Sequence, residues 1–157
     1  MEIQKDIYNS KVKDCIKRLK ESKAAFLYDW MLKIDPKVTY EREKEFFLTE
    51  FREISWPNDT EILKEGDLSK ELFIVREGNF MLLKSLDSNS PLENKYYSVT
   101  RRNKQYNMMI LGENSILGED GYWGKLKNSY SLKSISTKSI VYCIKTDSFN
   151  ERFTNIK

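Results

Sequence analysis

The stretch Glu61-Ile62-Leu63-Lys64-Glu65-Gly66-Asp67, followed shortly by Leu72-Phe73-Ile74-Val75-Arg76-Glu77-Gly78, decides how this chain folds. Two short runs rich in aliphatic and aromatic residues each close on a glycine. Gly66 and Gly78 stand where tight turns between strands favour positive φ, a conformation glycine alone adopts at little cost. Ile62, Leu72 and Ile74 are spaced so that the strands carrying them face a common core. All six glycines of the 157-residue chain lie between positions 66 and 124, so the tightly turned region is its middle.

Working outward, the same texture extends from about Arg52 to Lys145: short β-prone runs separated by turn residues. Strands are expected over residues 52–56, 61–64, 72–76, 79–86, 95–100, 107–111, 129–136 and 139–145. Eight short strands at close spacing point to a sandwich or barrel rather than to alternating strands and helices. Residues 86–93 are rich in Ser, Asn, Asp and Pro and should form an exposed loop.

Upstream the period changes. Val12, Cys15, Ile16, Leu19, Phe26, Leu27, Trp30, Met31 and Ile34 recur in steps of three and four, which gathers them on one face of a helix. Lys11, Lys13, Lys17, Arg18, Lys20 and Lys23 fall mostly on the other face. Asp35-Pro36 ends this helix, because a residue before proline avoids the helical region. A second helix is expected from Tyr40 to about Leu48, and two further turns after Asp147. The organisation is therefore a helical segment over 1–48 and a β-domain over 49–157. The apolar stripe of the first helix is expected to pack on the β-domain or on a neighbouring subunit.

Two more segments sharpen the reading. Leu111-Gly112-Glu113-Asn114-Ser115-Ile116-Leu117-Gly118-Glu119 precedes the seventh expected strand, and Ile140-Val141-Tyr142-Cys143-Ile144 runs into Asp147-Ser148-Phe149. With the stretch quoted first, these resemble, in order and at plausible distances, three signatures of the cyclic nucleotide-binding domain family: Gly-Asp then Phe-Ile-Val…Gly, the entry into the phosphate-binding cassette, and the last barrel strand. The resemblance covers roughly residues 45–153. It implies a mainly β fold with N-terminal helices, an eight-stranded jelly-roll-like barrel of the cyclic nucleotide-binding type.

The resemblance also implies a site. In that family the Gly-Glu pair, here Gly118-Glu119, opens a short helix whose amides face a cyclic phosphate, as helix N-termini do for anions. The glutamate holds the ribose, an arginine some nine residues on grips the phosphate, and a small residue beside it lets the ligand approach. This chain departs from the pattern. Asp120-Gly121-Tyr122-Trp123-Gly124 follows Glu119, and two glycines weaken a helix by roughly 1 kcal/mol each. Asp120 brings a negative charge to the turn meant for a phosphate. The arginine position falls at Asn128 or Ser129, and no arginine occurs between Arg102 and Arg152.

Losing such a charge partner costs about 2–5 kcal/mol, or roughly 30-fold to several thousandfold in affinity. Lys125 or Lys127 supplies at best a point charge without the two-pronged arginine geometry. The ligand-binding candidates are thus Gly118, Glu119, Lys127, Ser129 and Ser131. Glu119 is expected to pair or cap within its own turn, and the two serines to face solvent. Tyr122 and Trp123 are expected to fill the pocket that a ligand would otherwise occupy.

Composition narrows the functional classes. The chain has no histidine, which removes the commonest general base and metal ligand. Its two cysteines, Cys15 and Cys143, form no metal-binding pair, so neither an enzyme nor a metal site is expected. A net charge of +3, from 27 basic and 24 acidic residues, is too even to argue for nucleic acid. No apolar run is long enough to span a membrane, and the first residues are charged, which points to the cytoplasm. Arg101, Arg102 and Lys104, flanked by Tyr96, Tyr97 and Tyr106, form a basic-aromatic cluster suited to an acidic protein partner.

The expectation is a non-catalytic structural or docking subunit of a larger assembly that holds no cofactor and grips cAMP or cGMP weakly if at all. The abundance of Lys, Asn, Ile and Tyr accompanies AT-rich genomes, and on composition alone suits a cytoskeletal or ciliary complex. The alternative is a cAMP- or cGMP-sensing domain similar to kinase regulatory subunits.

Overall fold

A computed structural model describes residues 2–85 and 105–153 of the chain. These residues divide into two units, helical up to Arg52 and β-rich from Glu53 onward.

In the first unit, α1 (Glu2–Leu32) packs its C-terminal half against α2 (Tyr40–Thr49). Ala24, Leu27, Trp30 and Met31 of α1 and Phe47 of α2 are fully or almost fully buried. Phe46 and Phe47 meet Phe51 in edge-on and tilted ring contacts at 5.9 and 6.2 Å, and Tyr28 meets Tyr40 at 5.4 Å. Lys23 crosses from α1 to the end of α2, donating to the carbonyls of Leu48 (3.1 Å) and Phe51. Carbonyls at a helix C-terminus lack intrahelical partners, so a cation there is well placed. The Asp35-Pro36 stop acts as expected: α1 ends at Leu32, and Ile34 and Asp35 turn back onto the carbonyl of Met31.

The second unit contains eight strands among the described residues, in two four-stranded sheets. They are β1 (Arg52–Pro57), β2 (Glu61–Leu63), β3 (Glu71–Glu77), β4 (Phe80–Ser85), β5 (Gln105–Leu111), β6 (Ile116–Leu117), β7 (Ser131–Ser134) and β8 (Lys138–Lys145). One sheet has the order β1-β8-β3-β6 and the other β2-β7-β4-β5. A short helix, α3 (Thr146–Phe153), follows β8.

Phe73, Val75, Val141, Cys143 and Leu117 from the first sheet meet Phe80 and Leu132 from the second, with Tyr130 beside them. Trp56 closes over this core against Phe73 and Phe80, at 5.6 and 6.4 Å. This is the expected mainly β, jelly-roll-like arrangement with N-terminal helices, built as two facing sheets.

Seven of the eight expected strands coincide with observed ones. The eighth, at residues 95–100, lies outside the described residues, as do the 86–93 loop and the Arg101, Arg102 and Lys104 cluster. In turn, β6 was not foreseen: two residues carry no periodicity, and Ile116 and Leu117 are fixed as a strand by pairing with Ile74 and Phe73. Gly78 shows why its turn needs glycine. It sits at φ +94°, and a Cβ there would stand 2.7 Å from Ser139 Oγ and 3.0 Å from the Lys138 carbonyl oxygen.

Candidate functional site

The segment from Gly118 to Ser131 links β6 to β7 and carries every candidate the resemblance supplied. It begins at a constrained point. Gly118 lies at φ +76°, and a Cβ would come within 2.6 Å of the Glu71 carbonyl oxygen. The chain then forms turns in place of the family's short helix. Trp123 N–H reaches the Glu119 carbonyl at 3.2 Å, Gly124 N–H that of Gly121 at 3.2 Å, and Lys125 N–H that of Asp120 at 2.9 Å. Gly121 and Gly124 weaken a helix as the sequence implied. Ser69, between β2 and β3, braces the turn by accepting from Gly121 N–H at 2.9 Å.

Asp120 is the centre of the site. Its side chain is buried, the residue being only 3% exposed, yet three donors surround it. Ser129 gives its backbone N–H to Oδ2 at 2.7 Å and its hydroxyl to Oδ1 at 2.8 Å, and Lys125 Nζ donates to Oδ1 at 2.8 Å. Burial alone would raise the carboxyl's pKa. The hydrogen bonds from Lys125 and from the Ser129 amide and hydroxyl outweigh it and hold the group below the ordinary aspartate value. A carboxylate of the chain itself therefore occupies donors of the kind that bind an anion.

Glu119 is engaged in a similar way. The Tyr130 hydroxyl donates to Glu119 Oε2 at 2.5 Å and accepts from the backbone N–H of Gly118 at 3.0 Å. Burial, reinforced by the hydrogen bond to Glu119, pushes the Tyr130 phenol well above its usual pKa. Asn128, at the arginine position, is buried, and its amide nitrogen reaches the Lys64 carbonyl at 3.3 Å.

The other candidates divide. Ser129 is bound to Asp120, and Glu119 and Gly118 to Tyr130, whereas Lys127 is exposed and meets Leu68 through a backbone bridge. Ser131 does not face solvent as expected: it is 1% exposed and accepts from the Glu65 N–H at 3.0 Å. Nor do Tyr122 and Trp123 fill a pocket. Trp123 is 69% exposed, and Tyr122 packs edge-on against Phe149 of α3 at 5.6 Å. A cavity of about 750 Å³ does adjoin the segment, walled by Ile62, Leu63, Phe73, Asn128 and Thr146, and neither ring lines it.

Tyr130 escaped the sequence reading, although its bulk beside Asn128-Ser129, where the family keeps a small residue, was a usable signal. Among the described residues no group of three or more Cys, Asp or Glu is placed to hold a metal ion. None of the described helices is long and apolar enough to cross a membrane.

Comparison with solved structures places the fold. The regulatory domain of Toxoplasma gondii protein kinase A, solved with cAMP, matches over 96% of this chain and 51% of its own length, with a TM-score of 0.71 at 16% identity. The regulatory subunit of a cAMP-independent protein kinase A from Trypanosoma brucei matches over 88% of this chain and 44% of its own, with a TM-score of 0.66 at 14% identity. The catabolite activator protein of Thermus thermophilus matches over 73% and 47%, with a TM-score of 0.56 at 16% identity. The chain spans about half the length of these proteins. No protein-family model matches it, and a search of curated proteins finds no match.

Proposed function

With the cyclic nucleotide-binding fold as its frame, we propose that the chain is a non-catalytic module whose cassette is liganded by its own Asp120. On this reading it serves as a structural or docking subunit of a larger assembly and does not hold cyclic nucleotide tightly. One observation carries the proposal: the Asp120 carboxylate already takes the Ser129 amide, the Ser129 hydroxyl and the Lys125 ammonium. A cyclic phosphate arriving there would have to displace a buried anion, with no arginine to compensate. Tyr130 likewise occupies the Glu119 oxygen and the Gly118 amide that the resemblance assigns to a ligand.

The solved structures that share the fold include a regulatory domain solved with cAMP and the regulatory subunit of a cAMP-independent protein kinase A. The alternative reading, a cAMP or cGMP sensor, draws on the likeness to the first and on Glu119 in its family position. A sequence without histidine, the commonest general base, supports the non-catalytic part of the proposal. A cytoplasmic setting, cytoskeletal or ciliary, belongs to the same proposal.

Calorimetric titration with cAMP and with cGMP up to millimolar concentration tests it, with Glu119→Ala as the control. The expected result is no saturable heat. Saturable binding lost in the control makes the chain a sensor and overturns the proposal.

A further inference from the structure

α1 continues well beyond its packing with α2. Every described side chain from Ile7 to Ser22 is exposed, a helical stretch of roughly 24 Å. Along it run Tyr8, Val12, Cys15, Ile16 and Leu19, spaced four, three or four, and three or four apart; Ile16 is 48% and Leu19 60% exposed. Apolar residues at such spacing form the seam against which another helix packs. Where α2 ends, this seam meets a groove of about 380 Å³ floored by Ile16 and Leu48 and edged by Lys13, Lys17, Lys20 and Lys44, with Glu21 as its acidic wall residue.

From this we propose that the α1–α2 groove docks an acidic amphipathic helix of a partner protein; the inference rests on the docking-module reading above and gives it a surface. Charge selects the occupant. From Ile7 to Lys23 the helix carries six basic residues and two acidic ones, Asp14 and Glu21. A second copy would bring like charge against like and lose affinity by that repulsion. A helix with leucines along one stripe and glutamates beside it pairs its apolar ridge with Ile16 and Leu48 while its carboxylates meet the four lysines. A bilayer, being flat, covers the convex side of a helix but does not enter a groove, and a polyanion without apolar groups leaves the groove floor wet.

The test uses the full, unlabelled chain and peptides carrying an N-terminal fluorophore, read by fluorescence anisotropy. Three synthetic helices share one length: leucine stripe with glutamates, leucine stripe with lysines, and glutamates with the leucines replaced by serine. The first is expected to bind saturably, at least about tenfold more tightly than either other, and to weaken as salt is raised. Ile16→Asp and Lys17→Glu, both at exposed positions, should each reduce that binding without changing the melting temperature.

Equal binding of the leucine-free acidic peptide would leave only polyanion attraction and overturn the groove. So would binding indifferent to peptide charge, a stable dimer of the unliganded chain by light scattering, or capture by phosphatidylserine vesicles that outcompete the peptide. The cyclic nucleotide titration stands apart from all of these. Saturable cAMP binding overturns the docking-module reading with the groove untouched, and loss of peptide selectivity overturns the groove with the cassette untouched.

Discussion

At the scale of single residues, the proposal turns on Asp120. A buried carboxylate is costly unless donors surround it, and here they come from nearby in sequence: Lys125 five residues on and Ser129 nine. Because Lys125 is largely exposed, its ion pair contributes less than the short bonds from Ser129. Asp120→Asn preserves shape but turns one acceptor into a donor facing other donors. It should cost about 1–3 kcal/mol near neutral pH, read from urea denaturation.

The pH dependence has a definite sign. A carboxyl whose folded pKa is depressed stabilises the fold above its unfolded value and loses that contribution as pH falls through the folded one. Glu65 is also lowered, since the Lys84 ammonium and the Ser85 amide outweigh its desolvation, so two groups act on the same acid limb. Stability of the wild type should therefore fall as pH drops below about 4, and Asp120→Asn should flatten that limb without abolishing it. An unchanged acid limb in the variant would mean that Asp120 is not held as described.

At the scale of elements, local chemistry was legible where it was redundant. The Gly-terminated strands β2 and β3, the Asp35-Pro36 stop and the spacing of Leu27, Trp30 and Met31 each carry a strong local signal, and each appears in the structure. The cassette was legible only in part. Asp120 was read as hostile to a phosphate, and Lys125 and Ser129 as groups that could attract one. Lys125 and Ser129 do face an anion, the Asp120 of this same chain, and one sequence does not say which anion a donor faces.

Ser131 misled for a related reason. Alternation along a strand assumes one wet face, whereas the polar side chains here are satisfied inside the unit: Ser131 by the Glu65 amide, and Ser134 by Ser139 at 2.7 Å. The helical pair offers a separate test at this scale. Lys23→Met keeps the aliphatic stem but removes the ammonium from the Leu48 and Phe51 carbonyls. Circular dichroism melts should show the helical unit weakened by about 1–2 kcal/mol, and a melt identical to wild type would show that the cross-link carries no weight.

For the whole molecule, a shared fold leaves function open until the site is examined, and the chain contains its own reporter of both. Its two thiols sit in opposite environments: Cys15 is exposed on α1, and Cys143 is fully buried on β8, between β1 and β3. A thiol-reactive dye should modify Cys15 at once in native buffer. Cys143 should react only as fast as the β-unit opens, and both should react together in guanidinium. The rate at Cys143 then measures the stability of the sheet that carries the cassette. A ligand that binds only the folded form lowers that rate, because it adds RT ln(1 + [L]/Kd) to the opening free energy. At a concentration one hundred times Kd this is about 2.7 kcal/mol, which slows labelling roughly a hundredfold. On the proposal that Asp120 and Tyr130 engage the cassette's donors, millimolar cAMP should leave the Cys143 rate unchanged. The acidic helix, bound at the distant-in-sequence Ile16 and Leu48, should shield Cys15 instead. Protection of Cys143 by cAMP would show that the internal carboxylate yields to a phosphate, and that the cassette still works as a sensor.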